Sequence, residues 1–210
     1  MNMKENRLNL KKMSVTAMFC ALAFVLTYIK IPVAFLSLEI KDSMIVLCTL
    51  LFGPISGLVV AIFVPFLELI THSSTGVYGL VMNILSSVTF SMVTGLIYKY
   101  KKSFYGAIVG LLSGVFAVVA VMIAANLLIT PYYMGVSVQE VAVLIPKMLL
   151  PFNLVKATLN AGVVLLLYKP ISNLLKKTGF LKERKSEGET VKNTKRSVLV
   201  AQLVIFLVLK

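Results

Sequence analysis

The sequence has little charge and almost none of the residues that carry most enzyme chemistry. Of its 210 residues 14% are charged and 59% are hydrophobic, with no tryptophan and a single histidine, His72. A water-soluble domain of this length could not cover so much apolar surface, so the composition indicates an integral membrane protein. The one histidine lies in a predicted outer turn, which excludes a two-histidine metal site and a Ser–His pair inside the bilayer. We therefore expect neither an enzyme nor a metal centre.

Cysteine and acidic residues are also scarce. Cys20 and Cys48 both lie in apolar stretches, without the spacing of a disulfide or zinc site. The 8 acidic residues are outnumbered by 21 Lys and Arg, which gives a formal net charge of +13. The basic residues cluster beside hydrophobic segments, and the positive-inside rule places the clusters at residues 4–12, 99–102 and 169–185 in the cytoplasm. The excess charge is therefore typical of cytoplasmic loops and not of a nucleic-acid surface.

The hydrophobic segments predict an all-α integral membrane protein with six transmembrane helices and both termini in the cytoplasm. The Gly53-Pro54 break divides residues 43–70 into two helices, because a single crossing there would place residues 99–102 outside. We expect the second helix to begin near Leu36. The first helix is predicted at residues 13–29, and the last three at about residues 77–98, 104–129 and 148–168.

This pattern divides the chain into a basic leader (residues 1–12), a six-helix membrane domain (13–176) and a charged tail (177–210). The tail ends in an apolar segment at residues 198–209. Twelve residues span only about 18 Å as a helix, which is too short for a bilayer core of about 30 Å. We assign no function to that segment.

Short local patterns add detail. Ser137 and Glu140 form a capping-box pattern that predicts a short helix at residues 138–144. Ala17 and Ala21 give the first helix a smooth face, either for packing within the fold or for docking another subunit. The fifth helix carries a similar stripe at Gly106, Gly110 and Gly114.

The most informative stretch is PFNLVK at residues 151–156, at the start of the sixth helix. Asn153, Lys156 and Asn160 lie at positions i, i+3 and i+7, so they share one helix face. Such side chains are costly against hydrocarbon and normally face a bundle interior or a water-filled cavity. The alternative is that Lys156 snorkels to an interface and the asparagines bond neighbouring helices.

Asn83 and Asn126 are predicted at the same depth as Asn153 and Lys156, near the outer ends of their helices. This agreement predicts one pocket that opens to the outside, with polar groups on its floor and apolar walls, as in many small-molecule sites. The expected wall residues are Phe35, Leu38, Phe66, Tyr78, Tyr132 and Phe152.

The same stretches carry a resemblance to a known family. The segments LEIKD at residues 38–42, GPISG at 53–57, Asn126 before PYY at 131–133 and, above all, PFNLVK are similar to the substrate-binding S component of energy-coupling factor (ECF) vitamin transporters, most closely the riboflavin type. The resemblance covers about residues 13–176. Ala157 is a departure, since the riboflavin type usually has glycine there.

The resemblance implies a multi-pass protein of the plasma membrane that binds riboflavin as a transported substrate. The sequence has no phosphate-binding loop, so any ATP would be used only by partner subunits. The implied partners are two ATPase subunits and a transmembrane coupling subunit that docks on Ala17 and Ala21. Asn126, Asn153 and Lys156 would contact the vitamin, and the loop containing Leu38, Glu39 and Lys41 would cover it; Asn83 joins this set through its depth.

Other functions stay open. A carboxylate vitamin such as pantothenate or biotin could use Lys156 as its counter-charge, whereas pairing of Lys156 with Glu39 or Glu68 would favour a neutral ligand. A thiamin-like cation is disfavoured because the chain has no tryptophan for a cation cage. A secondary transporter would require inverted halves with broken helices, which we do not find. A membrane scaffold would be distinguished by the absence of a bound small molecule.

Overall fold

The computed structural model describes residues 3–180, with side chains from residue 10 onward. It is a helical bundle with one β-hairpin, and the apolar segment at residues 198–209 lies outside the described residues. The elements in chain order are α1 (Met3–Leu26), β1 (Lys30–Val33), β2 (Leu36–Glu39), α2 (Lys41–Phe52), α3 (Pro54–Thr71), α4 (Gly76–Tyr100), α5 (Phe104–Met134), α6 (Val138–Leu144), a π-helical segment (Ile145–Leu149) and α7 (Leu150–Lys177).

Four helical segments of the described chain are long and apolar enough to span a membrane: α3, α4, α5 and the continuous helical stretch Val138–Lys177. In contrast, α2 has only 12 residues, about 18 Å of helix. Ten of its residues are buried, and it packs against α1, α3, α4 and α7. This short helix therefore forms the centre of the bundle, where protein rather than lipid surrounds it.

The prediction that the second helix begins near Leu36 is wrong, and the all-α description needs a correction. Residues Leu36–Glu39 form β2, which pairs antiparallel with β1 from Lys30↔Glu39 to Val33↔Leu36. Helix α2 begins only at Lys41, and the backbone N–H of Ser43 in its first turn donates to Asn160 Oδ1 of α7 at 2.8 Å. The bond from Ser43 to Asn160 joins segments 117 residues apart, so no local pattern reveals it. The hairpin is a local pairing, which was missed because β2 was assigned to the start of the second helix.

Three helices are longer than predicted. α1 begins at Met3, α5 continues through Pro131 to Met134, and α7 continues through Pro170 to Lys177. A proline removes one backbone hydrogen bond, but membrane helices tolerate this where neighbouring groups satisfy the freed carbonyl. As a consequence, Tyr132 and Tyr133 lie in α5 and not in a loop.

Several local predictions are confirmed. The break at Gly53-Pro54 separates α2 from α3, and a turn at residues 72–75 separates α3 from α4. The capping box is formed in both directions: Glu140 N–H donates to Ser137 Oγ at 3.3 Å, and Ser137 N–H donates to Glu140 Oε2 at 3.1 Å. These features depend on a few adjacent residues, which is why the sequence predicts them well.

The predicted glycine stripe of α5 is also a close-packing face. A Cβ atom added to Gly110 would lie 2.9 Å from the backbone oxygen of Thr94 in α4, and one added to Gly114 would lie 2.4 Å from Thr94 Oγ1. On α1, Val15 and Phe19 face the core, whereas the face carrying Ala17 and Ala21 is exposed. The small residues of α5 therefore pack against α4, whereas those of α1 lie on the surface of the bundle.

Candidate ligand-binding site

A cavity of about 110 Å³ lies at the end of the bundle where the β-hairpin meets the α3–α4 turn, α5 and the start of α7. We call it the hairpin cavity. Its lining draws residues from every one of these elements, so the tertiary fold assembles it. Five of the predicted site residues line it: Glu39, Asn83, Asn126, Asn153 and Lys156.

Two buried asparagines are held in fixed orientations at this cavity. Asn153 Nδ2 donates to Leu149 O at 2.7 Å, and Asn126 Nδ2 donates to Met122 O at 2.7 Å. Because a backbone carbonyl can only accept, these bonds fix which way each amide points. Asn126 Oδ1 also accepts from Thr130 Oγ1 at 2.9 Å, whereas Asn153 Oδ1 has no hydrogen-bond partner in the described part of the chain. The Asn153 carbonyl is therefore available to a ligand donor.

Lys156 brings a positive charge to the same cavity. Among residues with described side chains it has no carboxylate within ion-pair distance, since the two ion pairs there both belong to Lys41. Burial tends to raise the pKa of the Glu39 carboxyl, but the positive charges of Lys156 and Lys41 hold that pKa below its ordinary value. Glu39 is therefore ionised and balances Lys156 through space without a direct contact.

Lys41 lies behind the cavity and does not line it. It is fully buried, with Nζ 2.8 Å from Glu39 Oε2 and 2.5 Å from Glu68 Oε2. Asn83 Nδ2 also donates to Glu68 Oε2, at 3.1 Å. This buried cluster joins β2, α2, α3 and α4, so Lys41 positions the two glutamates whose carboxylates reach the cavity.

Leu38 is the other predicted site residue that the structure leaves outside the cavity lining. Successive side chains of a strand point to opposite faces, and in β2 the neighbours Ser37 and Glu39 line the cavity. Leu38 therefore lies on the opposite face of the hairpin. Direct ligand contacts of Leu38 and Lys41 stay predictions that the geometry does not favour.

Among the described residues that line the hairpin cavity, positive and negative side chains are equal in number. The ionisable lining residues are two lysines, Lys30 and Lys156, and two glutamates, Glu39 and Glu68. Behind them, Lys41 is matched by Asp42, which accepts a hydrogen bond from Ser87 Oγ at 2.5 Å. An anionic solute gains most from a net positive site, so this balance favours an uncharged, polar ligand.

The predicted aromatic walls are partly confirmed. Phe35, Tyr78 and Phe152 line the cavity, whereas Phe66 and Tyr132 are exposed and lie outside its lining. Tyr133, which the sequence analysis missed, takes the place assigned to Tyr132, and its ring centroid lies 6.1 Å from that of Tyr78.

A helical signal could have identified Tyr133. Met122, Asn126, Ile129 and Tyr133 follow i, i+4, i+7 and i+11 spacing and all line the cavity, but this signal appears only if residues 131–133 are read as helix. Six further lining residues that were not predicted carry hydroxyl groups: Ser37, Ser73, Ser74, Thr75, Ser86 and Thr130.

Asn160 shares the helix face of Asn153 and Lys156 but is used differently. Its Nδ2 donates to Glu39 O at 2.8 Å, and its Oδ1 accepts from Ser43 N–H. Asn160 thus ties α7 to the β2–α2 junction and is not among the residues lining the cavity. For this residue, the alternative of an asparagine that bonds neighbouring segments is the right one.

Among residues with described side chains, no group of three or more His, Cys, Asp or Glu is arranged to hold a metal ion. The groups that line the hairpin cavity are oriented carboxamides, two lysine ammonium groups, two carboxylates, hydroxyls and aromatic faces.

Comparison with known proteins identifies the family. Residues 11–168 match the family model of the ECF transporter, substrate-specific component. The chain belongs to this family. It is 32% identical over 187 residues to the riboflavin transporter RibU of Staphylococcus aureus (strain TCH60), which covers 84% of this chain and 96% of that protein.

Two further relatives agree. The chain is 28% identical over 174 residues to the riboflavin transporter FmnP of Bacillus subtilis (strain 168), covering 77% of this chain and 92% of that protein. It superposes with a TM-score of 0.69 and 31% identity on a solved chain described as "Structure and mechanism of the S component of a bacterial ECF transporter", covering 80% of this chain and 99% of that one. The resemblance predicted from PFNLVK is confirmed. This S component is a multi-pass protein of the cell membrane.

Proposed function

We propose that this S component binds riboflavin in the hairpin cavity and is the substrate-binding subunit of an ECF transporter that mediates riboflavin uptake. The observation that carries the proposal is the cavity itself: Asn126, Asn153 and Lys156 converge on a site whose formal charges balance. Two relatives of this chain are riboflavin transporters by name. Riboflavin is uncharged and polar, which matches the balance.

The polar groups suit the pyrimidine edge of the isoalloxazine ring, which has two carbonyl acceptors flanking one N–H donor. Asn153 Oδ1 can accept from that N–H, while the Lys156 ammonium and the second Nδ2 hydrogen of Asn126 can donate to the carbonyls. The flat ring would lie against the walls formed by Tyr78, Tyr133 and Phe152. Ser37 and the hydroxyls of the α3–α4 turn offer partners to the ribityl chain.

The hairpin cavity is too small to hold a tricyclic ring without movement of its walls. Its volume of about 110 Å³ is below the range of about 300–1,000 Å³ typical of small-molecule sites. A tricyclic ring can enter only if wall residues move outward. Phe35 and Leu36 are the natural candidates, because they lie at the hairpin turn, which is linked to the bundle at its base through Glu39.

A riboflavin titration of the purified, ligand-free protein tests the proposal. We expect a yellow chromophore near one per chain after purification and quenched flavin fluorescence on rebinding. Asn153→Ala and Lys156→Met should each weaken binding by about 10- to 100-fold, the usual effect of losing one buried or charged ligand hydrogen bond. Lys147→Met is the matched control, since Lys147 is exposed and outside the cavity lining.

Unchanged affinity in both cavity variants would move the site elsewhere. A colourless protein that ignores riboflavin but binds pantothenate or biotin would make it an S component for a carboxylate vitamin. Failure to bind any of these would favour a membrane scaffold without a small-molecule ligand.

For the topology we propose six crossings with both termini in the cytoplasm, α1 and α2 adding two to the four long spans. Lysines 99, 101 and 102 and the basic end of α7 then lie inside, as the positive-inside rule requires. In a variant whose two cysteines are replaced by alanine, a membrane-impermeant thiol reagent should label Ser73→Cys on intact cells and leave Lys101→Cys unlabelled. Labelling of Lys101→Cys would overturn this orientation.

We further propose that the exposed face of α1 at Ala17 and Ala21 docks the transmembrane coupling subunit, and that only the partner ATPases use ATP. Ala17→Leu with Ala21→Leu should abolish co-purification with the coupling subunit and leave riboflavin binding unchanged. Ala124→Leu, on the exposed face of α5, is the control for adding bulk to a helix surface. Intact assembly of the double variant would remove α1 from the docking interface.

A further inference from the structure

Asn160 of α7 connects two walls of the hairpin cavity without lining it. The residue is 1% exposed, and its carboxamide makes three hydrogen bonds. Nδ2 donates to Glu39 O at 2.8 Å and to Lys156 O at 2.9 Å, and Oδ1 accepts from the Ser43 N–H at 2.8 Å. Because a carbonyl can only accept and an N–H can only donate, these partners fix the orientation of the amide.

The Oδ1 atom of Asn160 supplies a cap that α2 lacks in its own sequence. The N-cap residue of α2 is Ile40, which makes no side-chain cap hydrogen bond. An N-cap side chain ordinarily accepts from the backbone N–H two or three residues later, and Ser43 is that third residue. The Ser43 N–H approaches Ile40 O at 3.2 Å and Asn160 Oδ1 at 2.8 Å. A side chain 117 residues away therefore takes the place of the local cap.

The same amide holds the end of the β-hairpin. Glu39 is the last residue of β2, and it lines the hairpin cavity. In the part of the chain whose side chains are described, no hydrogen bond other than that from Asn160 Nδ2 to Glu39 O joins residues 30–39 to a helix distant in the chain. The ion pair of Glu39 with Lys41 is formed within the junction itself. Asn160 is thus the link between the base of the hairpin and α7.

This link joins two residues whose charges influence each other. Lys156 precedes Asn160 by one helical turn and lines the cavity from α7, whereas Glu39 lines it from the hairpin. Burial tends to raise the pKa of the Glu39 carboxyl, and the charge of Lys156 is the largest of the influences that lower it. The separation of these two side chains is therefore a property on which the electrostatics of the site depends.

We propose that Asn160 is a positioning residue of the hairpin cavity: it caps α2 and holds Glu39 in place relative to Lys156, and in this way it sets the affinity of the site. The inference rests on the proposed function, since that affinity is the affinity for riboflavin. Leucine, which is similar in size, leaves the Ser43 N–H and the Glu39 carbonyl without their partner. The hairpin wall would then occupy several positions, and ligand binding would have to supply the cost of ordering it.

The first measurement needs no ligand. In a variant whose two cysteines are replaced by alanine, nitroxide labels at Val33→Cys in β1 and Leu128→Cys in α5 report the position of the hairpin on the bundle; both residues are exposed and outside the cavity lining. We expect pulsed EPR to give a broader distance distribution in Asn160→Leu. Asn160→Gln, which keeps both amide groups, should restore part of the narrow distribution. Asn173→Leu is the matched control, because Asn173 is an exposed asparagine of the same helix.

The second measurement is riboflavin affinity. Asn160→Leu should weaken binding by about tenfold or more, and Asn173→Leu by less than about twofold. In a Glu39→Gln background the loss caused by Asn160→Leu should shrink to about threefold or less, because no carboxylate is left to position. In an Asn126→Ala background the loss should stay at about tenfold, since Asn126 shares no hydrogen-bond partner with Asn160.

An unchanged distance distribution in Asn160→Leu, or equal losses of affinity with and without the Glu39 carboxylate, would overturn the proposal and leave Asn160 as a bond that only stabilises the fold. If Asn160→Leu does not fold, Asn160→Asp takes its place, because it keeps the acceptor for the Ser43 N–H and loses only the donors. If the wild type ignores riboflavin, the proposed function fails, and the distance measurement still decides whether Asn160 positions the hairpin.

Discussion

The two ends of α2 and α4 differ in how their lysines are surrounded. At the hairpin cavity Lys41 is buried and forms ion pairs with Glu39 and Glu68. At the other end a second cavity of about 360 Å³, the lysine cavity, is lined by Lys99, Lys102 and Lys176. The first arrangement suits an uncharged solute.

The difference follows from burial. Lys41 is fully buried, and a charge with no access to water must be paired and hydrogen-bonded to be tolerated. Lys99 and Lys102 are exposed, so water can solvate their charges. The same residue type is therefore part of the buried scaffold at one end and of the solvent-exposed surface at the other.

The largest expected effect is a difference in folding stability when the same substitution, lysine to methionine, is made at each end of the bundle. Lys41→Met leaves two buried carboxylates without their cation, which costs about 3–5 kcal/mol of folding stability in comparable buried pairs. Lys99→Met at the exposed end should change stability by less than about 0.5 kcal/mol. Denaturant unfolding in mixed micelles measures both values.

A triple variant controls for the loss of the lysine chain itself. Lys41→Met with Glu39→Gln and Glu68→Gln removes all three charges together and should recover much of the lost stability. If the triple variant is no more stable than Lys41→Met, charge balance does not stabilise this end of the bundle.

The next prediction concerns packing in α5, because this helix lines the hairpin cavity but not the lysine cavity. Gly110→Ala places a methyl group against the backbone oxygen of Thr94 and should cost about 1–3 kcal/mol, since backbone cannot yield as a side chain can. Leu112→Ala, on the exposed face of α5, should cost less. Riboflavin affinity should fall in Gly110→Ala and stay near the wild-type value in Leu112→Ala. Equal losses of affinity in the two variants would show that the close packing of α5 against α4 does not support the site.

A smaller effect concerns pH at the hairpin cavity. The Glu39 pKa is lower in the folded protein, although burial opposes this, because Lys156 and Lys41 are close. Such a carboxyl stabilises the fold above its ordinary pKa of about 4.3, and its contribution is lost as the pH falls through the folded value. Stability should therefore be level from about pH 8 to about pH 5 as far as Glu39 contributes, and decline below about pH 4.

Lys156→Met removes one of the three lysine charges that lower this pKa, so the folded value should rise and the loss of stability in acid should become smaller. Lys147→Met should leave the profile of the wild type unchanged. Unfolding temperature measured across this pH range distinguishes the two, and coincident profiles for Lys156→Met and wild type would show that Lys156 does not influence Glu39.

The smallest effect is at the hairpin turn, where Ala34 has a φ of 53°. Alanine is disfavoured in this left-handed region, and glycine is not, so Ala34→Gly should stabilise the protein by up to about 1 kcal/mol. Ala142→Gly in α6 should have the opposite sign, because glycine weakens a helix interior. A loss of stability in Ala34→Gly would contradict the turn geometry.

The features predicted well are those that a few neighbouring residues decide. The capping box at Ser137 and Glu140, the Gly53-Pro54 break and the glycine stripe of α5 were all visible in the sequence, because each depends on spacing along one helix or turn. The convergence of Asn126, Asn153 and Lys156 was predicted from their common depth. Tyr133 was missed because the fifth helix was predicted to end at about residue 129, whereas it continues to Met134.

What the sequence determined by itself is that the protein lies in a membrane, where its helices break and which family it belongs to, since hydropathy, turn residues and the PFNLVK motif are local properties. The tertiary structure alone decided the pairing of Lys41 with Glu68, the bond from Ser43 to Asn160 and the assembly of both cavities, each of which joins residues far apart in the chain. The β-hairpin joins nearby residues, and it was missed because its second strand was assigned to the start of a helix. A partner that is distant in the chain leaves no periodicity in the sequence, so only the packed fold shows which buried charges are balanced.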